Sequence, residues 1–379
     1  MCIVQHKVCH LTTVHPIFDV RIFHKECCSL AFHGFNVTLI ACGEREYQEK
    51  ICGITCISIN VPVKNRIQRF IKRSKTVYNK ALDVDAEIYH IHDPELLSIG
   101  LKLKNKGKKV LFDSHEDITV NILDKNYIPK ILRPFIQFIF NKYSSCVLKK
   151  LDGIISVTPH IVEKFKNINS KTYQITNFPI VNEENILNQE KIQKFSTPTI
   201  FFAGGVRPLF NHENIIKSLD SIEFDIKYLL AGPASSEYLL TLQKLKSWNK
   251  VEYLGIIPHS EVKKLYKKSH IGLAIANYSN NGGGKLGTIG NTKLFEIMLE
   301  EIPIICTDFI LWKRIIEDNN AGICVNPSDI DSISKAITKL ILNGSESRIM
   351  GQNGRKIVLE RYNWKTQESI LIDIYKRIN

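Results

Sequence analysis

Residues 282–308 read GGGKLGTIGNTKLFEIMLEEIPIICTD, and this stretch narrows the fold more than any other part of the chain. Gly282, Gly283, Gly284, Gly287 and Gly290 let the backbone turn its amides toward a ligand. The pattern then becomes helical near Asn291 or Thr292 and ends in a short apolar strand from Ile302 to Thr307. A loop, a helix N-terminus and a buried strand in succession describe an α/β protein whose helix ends attract anions through unpaired N–H groups and the helix dipole. Lys285 and Lys293 add full charges beside those dipoles. Lys293, Glu296 and Glu300 fall at i, i+3 and i+7 and share a polar face, while Leu294, Ile297 and Met298 turn inward. A phosphate held on amides, with a carboxylate one turn later free to bind hydroxyls, suits a sugar nucleotide. The plainer reading is a surface loop ahead of a half-exposed helix.

The chain has 379 residues, enough for two α/β domains. Its formal charge of +13 asks for an anionic partner, whether nucleic acid, acidic lipid or phosphorylated substrate. The ten cysteines form no CxxC pair, and Cys9, Cys42 and Cys306 lie in apolar runs. There they behave as small hydrophobes, as expected in a reducing cytoplasm. MCIVQHKVCHLT lacks the apolar core of a signal peptide, and no run is long enough to span a bilayer. Membrane contact is therefore expected to be peripheral.

Short apolar strands alternate with helical patterns along the whole chain. Val8–Leu11 ends in the polar turn Thr12–Pro16, a helix is expected from Asp19 to Phe32 with Gly34 as its stop, and Val37–Ala41 follows. His15, Asp19 and Arg21 then sit at a strand's C-terminal end, where ligands of such domains collect; alternatively Asp19 caps the helix and Arg21 is a surface charge. No GxGxxG is present, which disfavours a dinucleotide cofactor. Lys64, Arg66, Arg69, Lys72, Arg73, Lys75 and Lys80 lie among Val63, Ile67, Phe70, Ile71, Val77 and Tyr78 with no acid between them. This basic amphipathic segment, 64–80, reads as a contact with an anionic membrane surface. Nucleic acid is not expected, because stacking aromatics and nucleic-acid motifs are lacking.

Ile88–Ile91 runs into His92-Asp93-Pro94-Glu95, and Val110–Phe112 into Asp113-Ser114-His115-Glu116-Asp117. His90 and His92 alternate onto one face and raise a metal site with Asp93, but no further ligand set lies nearby in sequence, so no metal is expected. Residues 128–150 are apolar and basic, either a buried helix or a second membrane-facing surface. Ile154–Val157 and Ile175–Thr176 look like the last strands of domain 1–178, and a linker follows from Asn177. Thr199–Ala203 opens domain 197–363 and ends in Gly204-Gly205-Val206-Arg207, a second anion site ahead of a helix near His212. Further strands are expected at Tyr228–Ala231, Val251–Leu254, Ile271–Ile275 and Ile323–Val325, with helices from Asp329 and Glu346.

The segment TKLFEIMLEEIPIICTDFILWKRIIEDNNAGICVNPSD resembles the nucleotide-sugar segment of family-4 retaining glycosyltransferases, which have the GT-B fold. HIHDPELL and CHLTTVHPIFDVRIFHKE resemble the acceptor-side segments of members found in bacterial polysaccharide clusters. The resemblance implies two Rossmann-like domains facing a cleft, with helix 364–379 crossing back onto the first. It implies donor binding by Gly204, Gly205, Arg207, Lys285, Gly290, Asn291, Thr292, Lys293, Leu294 and Glu296, with Glu296 on the ribose. It gives His115 a place beside the reacting carbon and sets His15, Asp19, Arg21, His92 and Asp93 on the acceptor side. The donor would be a UDP- or GDP-sugar, used without cofactor or metal. The acceptor would be a lipid-linked glycan at the inner face of the membrane. Two departures stand out: Thr288 occupies the first position of the family's E-x7-E pair, and Asn211 and His212 stand where a second phosphate cation belongs. A sugar-nucleotide epimerase and a non-catalytic binding subunit are the rival readings.

Overall fold

The computed structural model describes residues 6–65, 68–115, 129–181, 192–279 and 283–378. The chain divides into two compact units, Met1–Asn177 with Trp364–Asn379, and Phe178–Asn363. Arg66, Ile67, Glu116, Asp117, Gly282 and most of the linker lie outside the described residues.

Unit 1 is built on an eight-stranded sheet. Its elements are β1 (Lys7–Thr12), α1 (π turns over Val20–Cys27 passing into α turns over Cys28–Phe32), β2 (Asn36–Cys42), β3 (Tyr47–Ile51) and β4 (Ile54–Ile59). Then follow α2 (π turns over Arg69–Arg73, α turns over Ser74–Val84), β5 (Ile88–Ile91), α3 (Leu97–Asn105), β6 (Lys109–Ser114), α4 (Arg133–Leu148), β7 (Gly153–Ser156), α5 (Pro159–Lys166) and β8 (Thr172–Gln174). The order is β3-β4-β2-β1-β5-β6-β7-β8, parallel except for the β3–β4 hairpin at one edge. That hairpin goes unread in the sequence because its turn is Cys52-Gly53, both at positive φ, instead of the usual Asn-Gly. The last strand lies slightly ahead of Ile175–Thr176, at Thr172–Gln174; Ile175 only donates its amide to the Ser156 carbonyl.

Unit 2 contains β9 (Thr199–Ala203), α6 (His212–Ser218), β10 (Lys227–Ala231), α7 (Ser236–Gln243), β11 (Val251–Gly255), α8 (His259–Lys268) and β12 (Ile271–Ala274). It continues with α9 (Thr292–Leu299), β13 (Ile304–Thr307), α10 (Ile310–Ile316), β14 (Gly322–Val325), α11 (Ile330–Leu342) and α12 (Gly344–Glu360). Its all-parallel order, β11-β10-β9-β12-β13-β14, reverses direction between β9 and β12. Strand residues alternate between two cores. Phe201, Leu229 and Ala274 pack with α9 and α10, whereas Ile200, Phe202, Leu230 and Leu273 pack with α6 and α11. The final helix, α13 (Trp364–Ile378), belongs to unit 1, where the Trp364 indole donates to Ser29 Oγ and Tyr375 is fully buried.

In a sheet of this order, ligands collect where the strand order reverses, beyond the strands' carboxyl ends. In unit 1 that place lies after β1 and β5, at Thr12–Pro16 and His92–Glu95; in unit 2 it lies after β9 and β12.

Helix α9 is locked to unit 2 by Phe295, fully buried against Phe178 and Tyr362 with ring centroids 4.8 and 5.1 Å away. Phe295→Ala is expected to lower the stability of unit 2 by about 3–5 kcal/mol, read as an earlier denaturant midpoint for that unit with an unchanged slope.

Candidate functional site

In unit 2, β9 runs into Gly204 at φ +149, whose amide bonds the Ala231 carbonyl at 2.9 Å. Gly232, at φ +133, lies so close that a Cβ there would stand 1.8 Å from the Gly204 carbonyl oxygen. Two glycine turns thus stack at the ends of neighbouring strands, leaving no room for a side chain between them. Arg207 follows, exposed, with its guanidinium 5.5 Å from the Phe210 ring.

Helix α9 is capped by Asn291, whose side chain accepts the Lys293 amide at 3.2 Å. Ahead of it, Thr288 Oγ1 accepts the Gly290 amide, and the Trp312 indole donates to the Thr288 carbonyl. The residue at the first E-x7-E position therefore shapes the loop. Gly287, at φ +78, packs against Phe309, and the amides of Ile310 and Leu311 bond the carbonyls of Lys285 and Leu286. The loop is strapped to α10 at residues 285–288, while the Lys285 side chain stays exposed 5.9 Å from the Tyr278 ring.

The second cation absent from Asn211 and His212 is supplied from α9. Asn211 adopts a left-handed conformation and donates to the Pro327 carbonyl; His212 is buried against the Tyr228 hydroxyl. Lys293 Nζ instead lies where a Cβ on Gly204 would be 2.4 Å away, over the Phe202 and Phe210 rings at 3.4 and 4.3 Å. It is buried with no hydrogen-bond partner, and burial pushes it down to about 7. No sequence spacing links residues 204 and 293, so only the fold brings these groups together. Glu296, one turn further on, is 37% exposed and 4.0 Å from His259 Nε2, whose pKa it raises. His259 carries no motif and went unread in the sequence. Thr292 is half-buried, and Leu294 is fully buried and packs inward, so its side chain cannot reach a ligand.

Unit 1 gathers its polar residues at the corresponding strand ends. Asp19 caps α1 through the amides of Arg21 and Ile22 and pairs with His15 Nδ1 at 3.4 Å. Burial opposes its charge, but the His15 contact and those two amides hold the carboxyl well below its usual range. The His15 pKa is raised, first by its hydrogen bond with Asp19. Asp93 accepts from Thr12 Oγ1 at 2.8 Å and from the Thr13 amide at 2.6 Å. Arg21 is neither a surface charge nor open to a ligand. It is 3% exposed and grips Asp113 with two bonds of 2.7 and 2.9 Å while donating to the Ile175 carbonyl. His92 is likewise buried beneath the strand ends. His115 Nε2 lies 3.0 Å from Asp113 Oδ2, its side chain 20% exposed and its ring 4.8 Å from that of His15. The solvent-facing groups of this half are thus His15, Asp19 and His115, with Arg21, His92, Asp93 and Asp113 supporting them from below.

The basic segment is partly turned inward. Arg69 pairs with Glu95 at 3.3 Å and Arg73 donates to the Thr13 carbonyl at 3.0 Å, leaving Lys72, Lys75, Phe70 and Ile71 outward. The apolar face of residues 131–139 is more exposed, with Ile131 at 87%, Phe135 at 63% and Phe138 at 60%. Lys142, Lys149 and Lys150 lie exposed further along that helix and at its end. Among the described residues, no helix is long and apolar enough to cross a membrane.

Comparison with known proteins fits these two halves. Residues 184–357 match the family model described as Glycosyl transferases group 1. An uncharacterized glycosyltransferase of Methanocaldococcus jannaschii is 24% identical over 84% of this chain and 81% of its own. A phosphatidyl-myo-inositol mannosyltransferase of Mycobacterium leprae is 18% identical over 85% and 82%. Among solved structures, sucrose-phosphate synthase from Thermosynechococcus elongatus superposes with a TM-score of 0.74 at 14% identity, covering 99% of both chains. Anabaena HepE, solved with UDP and glucose, superposes with 0.70 at 11% identity over 98% of this chain and 100% of its own. Residues 184–357 therefore resemble a Glycosyl transferases group 1 domain, and the chain as a whole has the GT-B fold.

Proposed function

We propose that the protein transfers a sugar, with retention of anomeric configuration, from a nucleotide diphosphate sugar to a hydroxyl of a lipid-linked glycan during bacterial capsular, exopolysaccharide or lipopolysaccharide assembly. Unit 2 holds the donor and unit 1 the acceptor. The bond from the anomeric carbon to the diphosphate breaks, a bond from that carbon to the acceptor oxygen forms, and the acceptor proton leaves with the nucleoside diphosphate. The observation that carries the donor half is the setting of Lys293, a buried amine without a hydrogen-bond partner, beside the Gly204 turn and Arg207. Two cations and turn amides match a diphosphate and stabilise it as leaving group with no metal in the step. Glu296 takes the ribose hydroxyls, and Gly205, Lys285, Gly290, Asn291 and Thr292 complete the donor's surroundings. His115, fixed by Asp113, donates to the reacting sugar.

A lipid-borne acceptor is supported by the exposed apolar and basic surface of residues 131–150 and by the name of the Mycobacterium leprae relative. Such a surface suits an anionic bilayer and supports peripheral binding at the inner membrane face. In segment 64–80, Lys72, Lys75, Phe70 and Ile71 are exposed as well.

Three outcomes test this reading. With membrane extract as acceptor and a panel of UDP-, GDP- and dTDP-sugars, one sugar is expected to enter the lipid fraction. Glu296→Ala and His115→Ala should each lower that rate by about 10²-fold or more; nucleotide binding without turnover on any donor would instead indicate a binding subunit. The second outcome concerns pH. Above about 7 the free protein carries a neutral Lys293, and a bound diphosphate restores the charge by taking up one proton. UDP affinity should therefore fall by up to about tenfold per pH unit above that point, relative to a Lys293→Met variant that binds weakly at every pH. Calorimetry in buffers of different ionisation enthalpy reads the proton directly. Thirdly, a Phe135→Ser, Phe138→Ser, Ile139→Ser triple variant should bind anionic vesicles at least about tenfold less well with an unchanged melting temperature; undiminished flotation would remove this surface from the membrane contact.

A further inference from the structure

Beneath the acceptor-side residues of unit 1 lies a group of side chains that sugar transfer does not use. His10 on β1 stands in register with His90 on the neighbouring β5, and His92, two residues on, shares their face. Glu26 comes from α1, and all four side chains are completely shielded from solvent. His10, Glu26, His90 and His92 each offer one ligand atom, and these four atoms lie within 4.8 Å of one another. Glu26 Oε2 is 3.9, 3.8 and 3.9 Å from His10 Nδ1, His90 Nδ1 and His92 Nε2, nearly equidistant and beyond hydrogen-bond reach of each. Neither oxygen of this buried carboxylate has a hydrogen-bond partner. A buried carboxylate left in that state is costly.

The surroundings are those of a metal centre. His92 directs its other nitrogen, Nδ1, at Asp113 Oδ2, 3.4 Å away, and His10 directs Nε2 at the Tyr375 hydroxyl, 3.2 Å away. Such partners orient histidine ligands and raise their basicity. Arg21 lies 3.1 Å from the other Glu26 oxygen but is already gripped by Asp113, so one guanidinium faces two carboxylates. Three imidazoles and one carboxylate form a tetrahedral set for zinc, which takes nitrogen ligands at about 2.0–2.1 Å and so spaces its ligands about 3.3 Å apart. Closing the Glu26 separations to that value asks for about half an ångström of movement; His10 Nδ1 and His92 Nε2, now 2.9 Å apart, must part slightly, and His90 Nδ1 must exchange the Tyr375 hydroxyl, 2.8 Å away, for the metal.

We propose that His10, Glu26, His90 and His92 form a zinc site that ties α1 to the central strands of unit 1. It is a structural site: none of its ligands reaches solvent, and Tyr375 on α13 closes over it. Asp93, the carboxylate beside His92 in sequence, takes no part, because it turns to Thr12 and Thr13. His10 lies 82 residues from His92, so no local spacing announces the set. The proposal is independent of the donor and acceptor assignments.

The test uses full-length protein carrying no polyhistidine tag, equilibrated with one equivalent of zinc sulfate, gel-filtered, and analysed by elemental mass spectrometry and thermal unfolding. About one zinc per chain should be retained. Prolonged chelation should lower the melting temperature by several degrees, and one equivalent of zinc should restore it. Cobalt(II) in place of zinc should give the visible bands of a tetrahedral site. Glu26→Gln should retain at least about tenfold less zinc, whereas His115→Ala, which removes the neighbouring His92-Asp113-His115 group, should retain it in full. Wild-type protein that keeps no zinc and shows no shift in melting temperature overturns the proposal, whether or not the Glu26 variant folds. So does zinc that persists in Glu26→Gln or departs in His115→Ala.

Discussion

The buried pair of Arg21 and Asp113 is the interaction on which unit 1 depends. It joins the first turn of α1 to the carboxyl end of β6 and, through the Ile175 carbonyl, to the segment leaving β8. The pair is bidentate, which a lysine could not reproduce. Removing one partner of such a pair leaves an uncompensated charge, at a cost of about 3–5 kcal/mol. Burial alone would push the Asp113 carboxyl up, but Arg21 first and His115 next hold it well below its usual range. An ionised Asp113 is what fixes His115 at the surface and His92 below it. The same guanidinium passes 3.1 Å from Glu26. One ion pair therefore sets the orientation of the exposed histidine and the charge balance of the buried ones.

Unit 2 solves its positioning problem with backbone instead of charge. Because Gly204 and Gly232 have no side chains, two strand-end turns can touch, and the resulting surface is low enough for the Lys293 side chain to lie across it. The aromatic rings of Phe202 and Phe210 take the place of hydrogen-bond acceptors under the amine. Ring faces attract a cation without neutralising it, so the amine remains able to respond to an anion.

The alternation of apolar strands and helices was legible in the sequence, and so were the glycine turns at 204–205 and 283–290. Asp19 as a cap followed from its place ahead of an apolar run. What stayed hidden arises from partners distant in sequence. Arg21 reads as a surface charge because its carboxylate lies at 113, and nothing near Gly204 announces Lys293. His90 and His92 drew attention by their alternation, but their companions His10 and Glu26 come from another strand and from a helix. The β3–β4 hairpin escaped because Cys52-Gly53 is an uncommon turn pair. Burial was the least readable property: a basic segment of seven cations looked uniformly outward, yet Arg69 and Arg73 satisfy Glu95 and Thr13 inside.

Helix α13 gives the chain an order of assembly. Unit 1 is made of residues on both sides of unit 2, since Trp364–Asn379 joins Met1–Asn177. During synthesis, Trp364 and Tyr375 emerge only after all of residues 178–363, and until then Ser29, His10 and His90 lack the indole and hydroxyl that complete their hydrogen bonds. Unit 2, being continuous, can fold first and alone. A nascent unit 1 must wait with the surface beneath α13 uncovered, so chaperones that shield apolar surface would find their target in the amino-terminal part of this protein.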